Sequence, residues 1–166
     1  MARPSLDFLC VCIADALLAH YRIERPPVPV ASFLRAPPED LLRDLGLVER
    51  LPFGKALWLR DFDGQGRVYV NSELSEVEQR FAIAGALFIG LCSTKGGEAV
   101  GLPAVPNPEL PEQAALFART LLVPAFLLPP GWEQMTPEAI AQLFQVPIEV
   151  ARTRLRELKS GGVITD

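Results

Sequence analysis

The sequence predicts an α+β fold, mainly helical, with a small antiparallel β-sheet and a helix-turn-helix-like helix pair at its C-terminal end. Three observations carry this expectation. Apolar residues recur at helical spacing over most of the chain. Two short runs of strand-forming residues, ALWLR and RVYVN, flank a turn rich in Asp and Gly. Thr136-Pro137 and Val146-Pro147 each place Pro where a helix begins.

The first helix is expected over Ser5 to Tyr21. Ser5 suits an N-cap and Asp7 the first turn, while Leu6, Leu9, Cys10, Ile13, Ala14 and Leu17 form the apolar stripe. A Pro-rich turn, Pro26 to Pro29, leads to a helical turn at Val30 to Leu34. Pro37-Pro38 predict a second helix from Glu39 to Leu45, closed by Gly46. Strands follow at Ala56 to Arg60 and Arg67 to Asn71, joined by Asp61-Phe62-Asp63-Gly64-Gln65-Gly66. That link begins like a calcium loop, but its twelfth position is Ser72 where a bidentate Glu is needed, so a hairpin turn is the better reading.

Ser75-Glu76-Val77-Glu78 is a capping box and starts a helix that runs to about Cys92. From Phe81 to Cys92 this helix carries no charge, which predicts burial on all sides, and Gly85 and Gly90 predict a close neighbour. Ser93 to Pro108 reads as a Gly/Pro loop, Glu109 to Pro124 as a helix, and Ala125 to Trp132 as a Pro-rich link. Helices over Glu138 to Phe144 and Ile148 to Leu158 complete the chain, with Ile148 and Glu149 exposed at the start of the second.

Length and composition narrow the classes of function. The 166 residues, 49% apolar and 22% charged, suffice for one core and a small appended module. A net charge of -4 argues against general nucleic-acid or anionic-membrane binding. Asp15 interrupts the N-terminal apolar run, so neither a signal peptide nor a membrane span is expected. Cys10, Cys12 and Cys92 form no CxxC, which suggests reduced, buried thiols in a cytoplasmic protein. His20 is the only His, and no Ser-His-Asp, Cys-His or phosphate-loop arrangement is visible.

Four motifs in order give the chain a relation. They are VYVN (Val68 to Asn71), RFAIAGALFI (Arg80 to Ile89), PEQAALFARTLLVP (Pro111 to Pro124) and FQVPIEVARTRLREL (Phe144 to Leu158). Together they resemble the ImmA/IrrE family of zinc metallopeptidases, which cleave repressor proteins. That family shows a strand ending in Asn, then RFTIAHELGH, a helix of the type ExxANxFAxxLLMP, and FxVSxxAxxxRLxxL. The resemblance implies a zincin-like minimal peptidase domain over residues 1–130, with residues 131–166 as a helix pair packed on it.

In such a helix two His at i and i+4 hold zinc, and the Glu after the first His is the general base. Here the first His falls on Gly85, the base on Ala86 and the second His on Ile89. The third ligand falls on Pro111, beside Glu112. The resemblance therefore implies a degenerate member with no catalytic residue, no metal and no cofactor. Its function would be protein binding, with a helix-turn-helix repressor or related regulator as partner, in transcription or stress control. One alternative is a DNA-binding regulator that uses Arg152, Arg156 and Lys159 on the last helix. Another is an active metallopeptidase with relocated ligands.

Overall fold

The computed structural model describes residues 5–36, 45–105 and 107–161. Helix α1 (Leu6–His20) starts at Ser5, whose side chain accepts a hydrogen bond from the Phe8 N–H. Its inward face is Cys10, Ile13, Ala14, Leu17 and Leu18. Helix α2 (Val30–Arg35) buries Phe33 and Leu34, and Tyr21 stacks on Phe33 with ring centroids 4.1 Å apart.

Three strands follow: β1 (Leu45–Val48), β2 (Ala56–Arg60) and β3 (Gly66–Val70). Their order is β1-β3-β2, with β2 antiparallel and β1 parallel to β3. The sheet is therefore mixed, not purely antiparallel. Leu45 and Gly46 lie in β1, where the sequence suggested a helix end. The rest of that expected helix, up to Asp44, falls outside the described residues. The β2–β3 hairpin forms as expected. In its turn Arg67 pairs with both Asp61 and Asp63, and the Tyr69 hydroxyl donates to Asp61 Oδ1 at 2.8 Å.

Helix α3 (Glu76–Leu91) begins at the capping box, where both the N–H and the hydroxyl of Ser75 donate to Glu78 Oε2. It crosses one face of the sheet and lies along α5 (Leu110–Leu122), with Phe88 against Phe117 at 5.1 Å between centroids. Its charge-free half is not buried all round. Phe81, Ala82, Gly85 and Ile89 are only half-buried, because one stripe of the helix is left uncovered.

The stretch expected to be a loop contains a short helix, α4 (Lys95–Ala99). Thr94 caps it by accepting from the Gly97 N–H at 2.9 Å. A Cβ on Gly97 would stand 2.0 Å from the Leu91 carbonyl oxygen, so only Gly lets this turn close. Two 3-10 turns (Ala125–Leu127 and Trp132–Gln134) lead to α6 (Pro137–Phe144) and α7 (Ile148–Lys159), both where the sequence places them. Among the described residues no helix is long and apolar enough to cross a membrane. Cys10 and Cys92 are buried, but Cys12 is exposed, because a residue two positions from a buried one on α1 turns to the opposite face.

Candidate functional site

The residues that the sequence resemblance aligns with zinc ligands, Gly85, Ile89 and Pro111, lie on α3 and α5. Gly85 sits there with its backbone toward α5. A Cβ built on it would meet the Ala114 carbonyl oxygen at 3.9 Å, an ordinary contact. Ala114 lies one turn beyond Pro111, which is exposed in the first turn of α5. Ala86 is buried at 5% exposure, and Ile89 is half-buried one turn along from Gly85.

None of Gly85, Ala86, Ile89 and Pro111 has a side-chain lone pair to offer or a proton to exchange. A catalytic zinc requires three protein ligands and a water. The donor set of this face does not meet that requirement, and Glu112, exposed beside Pro111, would be a single carboxylate. Among the described residues no three of His, Cys, Asp or Glu come together as a metal-holding group. His20 is exposed at the last turn of α1.

A groove of about 850 Å³ opens elsewhere, at the end of α3. Trp58 and Arg60 of β2 line it together with Lys95, Glu98 and Val100. Gly85, Ala86, Ile89 and Pro111 do not line it. The Arg60 guanidinium lies 5.8 Å from the centre of the Trp58 ring and donates to the Ser93 carbonyl at 3.1 Å. Cys92 also borders this groove, but burial pushes its thiol up to about 11. It is therefore a poor nucleophile near neutral pH. The sequence reading missed this groove; the exposed side chains of ALWLR were the available signal.

The helix pair is held to the rest of the chain by three arginines. Arg80 of α3 donates from Nε to the Gln145 carbonyl at 3.1 Å and from Nη2 to the Val28 carbonyl at 2.6 Å. Gln145 caps α6 in the left-handed conformation, so Arg80 grips the turn between α6 and α7. Arg119 of α5 donates twice to Glu157 Oε1, at 2.9 and 2.6 Å. Arg154 is buried at 6% exposure; its Nε donates to the Val123 carbonyl at 3.2 Å, and Nη1 lies 3.5 Å from Glu157 Oε2. Burial pulls the Arg154 pKa down, and the charge of Glu157 opposes that pull.

Of the three cations suggested for DNA, Arg152 is paired with Glu149 and lies 4.0 Å from Glu138. Arg156 and Lys159 are exposed in the last turn of α7. Ile148 and Glu149 are exposed at its start. This face mixes both signs of charge.

Comparison with curated proteins gives no match. Among solved structures, a Mycobacterium tuberculosis transcriptional regulator is similar, with a TM-score of 0.59 and 14% identity. The likeness covers 87% of this chain but 45% of that one, so this chain spans less than half of that protein's length. At that identity it speaks for the fold alone. The family model for the IrrE N-terminal-like domain matches residues 47–156, two thirds of the sequence. The chain belongs to the IrrE N-terminal-like domain family.

Proposed function

We propose that this chain is a non-catalytic IrrE-like domain that acts by binding a protein, in the control of transcription or of a stress response. The partner class is a helix-turn-helix repressor or a related regulator. One observation carries the reading: the α3 face that would hold zinc bears Gly85, Ala86 and Ile89, none of which offers a ligand atom or a general base. Small and apolar side chains there favour helix packing over metal and water. The test is to mix the purified chain with a helix-turn-helix repressor encoded beside its gene. The proposal expects a complex on size-exclusion chromatography and an intact repressor on a denaturing gel. Cleavage of the repressor, or no complex at all, contradicts it.

A second reading, DNA binding through α7, is supported by exposed Arg156 and Lys159. Glu138 and Glu149 beside Arg152 weigh against it. A gel-shift series at falling salt decides, since phosphate contacts give a steep salt slope. Absence of a shift at the lowest salt removes this reading.

A further inference from the structure

Among the described residues, strand β2 lies at the edge of the sheet and has β3 as its only strand neighbour. Two backbone bonds define which of its groups face inward: Asn71 N–H donates to the Lys55 carbonyl at 3.0 Å, and Asp61 N–H donates to the Gln65 carbonyl at 2.8 Å. In an antiparallel ladder such pairs alternate. Lys55, Leu57, Leu59 and Asp61 therefore turn their backbone groups toward β3. Ala56, Trp58 and Arg60 turn theirs toward the open edge. The other edge strand, β1, has α2 packed against it.

Natural sheets blunt an open edge with Pro, bulges or inward charges. From Ala56 to Arg60 the register with β3 is unbroken, and the segment contains no Pro. Its outward-facing side chains are Leu57 and Leu59, exposed at 40% and 46%. Apolar side chains beside unpaired backbone groups make a strand-pairing surface.

We propose that the occupant of this edge is a second copy of the chain, its β2 antiparallel to the first across a two-fold axis at Trp58, so that the two sheets become one. The sequence of the edge is complementary to itself about that residue. Trp58 then faces Trp58 of the other copy, and Ala56 faces Arg60, all in hydrogen-bonded pairs. Leu57 faces Leu59 and Lys55 faces Asp61 in the intervening, more closely spaced pairs, all four on the outer face of the sheet. Asp61 is already fixed in position by Arg67 and Tyr69. Moving the axis to Ala56 or Arg60 would set a Leu against Lys55 or Asp61, so side-chain matching selects one register. The interface is isologous and closes on itself. It goes beyond protein binding by the degenerate α3 face and does not depend on it.

The experiment is sedimentation of the purified full chain over a wide dilution series, with amide exchange on the concentrated sample. The expected result is a species of twice the monomer mass, with the Ala56, Trp58 and Arg60 amides protected only at high concentration. Leu57→Lys with Leu59→Lys places ammonium groups opposite one another and should leave only monomer. Lys55→Asp should shift the dissociation to higher protein concentration. Both positions are exposed in the monomer, so an unchanged circular dichroism spectrum confirms that the fold is intact. A wild-type chain that stays monomeric throughout overturns the proposal. So does a dimer that survives the double Lys variant, or a monomer whose edge amides become protected only when an unrelated extended peptide is added.

Discussion

Gly90 of α3 lies beneath Trp58 of β2: a Cβ on Gly90 would stand 2.7 Å from Trp58 Cδ1 and 2.9 Å from Nε1. No real Cβ sits so close, and the indole is held between helix and sheet. Gly85, five residues earlier, has only the Ala114 oxygen near it, at 3.9 Å. The two glycines should therefore respond in opposite directions. Gly85→Ala should stabilise by about 0.5–1 kcal/mol, the helical preference for Ala over Gly. Gly90→Ala should destabilise by about 1–3 kcal/mol through overpacking. Urea unfolding of both variants checks this, and equal effects would contradict the packing described.

The start of α3 predicts a pH dependence. Hydrogen bonds from the Ser75 hydroxyl and then its backbone N–H hold the Glu78 carboxyl below its ordinary value of 4.5. A carboxylate lowered by folding stabilises fully above its unfolded pKa. That contribution is lost as pH falls through the lowered folded value. Glu78→Gln should flatten the acid side of the stability profile between those two points. Thermal melts of wild type and variant from neutral to acid pH would show it. Parallel profiles would contradict it.

Thiol reactivity should separate the three cysteines. Burial, with a smaller push from the charge of Asp7, raises Cys10 to about 12, and burial raises Cys92 to about 11, while Cys12 is exposed. A thiol reagent at neutral pH should label Cys12 alone in the native chain, and all three after denaturation. Rapid native labelling of Cys10 would show that α1 does not pack as described.

The attachment of α7 rests on a buried pair. Glu157 accepts from Arg119 and lies beside buried Arg154, so Glu157→Ala removes the carboxylate that both guanidinium groups share and leaves Arg154 only the weaker influence of Asp15. The expected cost is about 3 kcal/mol. Arg152→Ala, which removes an exposed pair with Glu149, should change stability by less than about 0.5 kcal/mol. Denaturant midpoints for the two variants give the comparison.

How far the sequence foretold this molecule depended on whether a signal was local. Helices α3, α6 and α7 were legible because the Ser75 capping box, Thr136-Pro137 and Pro147 mark their starts within a few residues. The hairpin was legible from its Asp/Gly turn. Strand β1 was not, since Leu45–Val48 is four residues long and pairs with Gly66 to Tyr69 far along the chain. Gly46, expected to close a helix, lies inside this strand. Helix α4 was missed because two of its five residues are Gly, which ordinarily disfavours helix; the need for Gly97 comes from the close approach of the Leu91 carbonyl, which composition does not show.

The site shows the same division. The loss of side-chain donors at Gly85, Ala86, Ile89 and Pro111 could be read from the aligned motifs alone. The groove beside Trp58 and Arg60 could not, because β2, α4 and the end of α3 converge there from separate segments. Arg154 lies three residues from Ala151 and on the same buried stripe. Its charge concealed a position that the helical period already made internal.

The central claim is that the α3–α5 face holds no metal. It is tested most directly by measuring zinc in the protein purified without chelator, followed by calorimetric titration with zinc. The expected result is far less than one zinc per chain and no tight binding on titration. One tightly held zinc per chain, released only by a strong chelator, would contradict it.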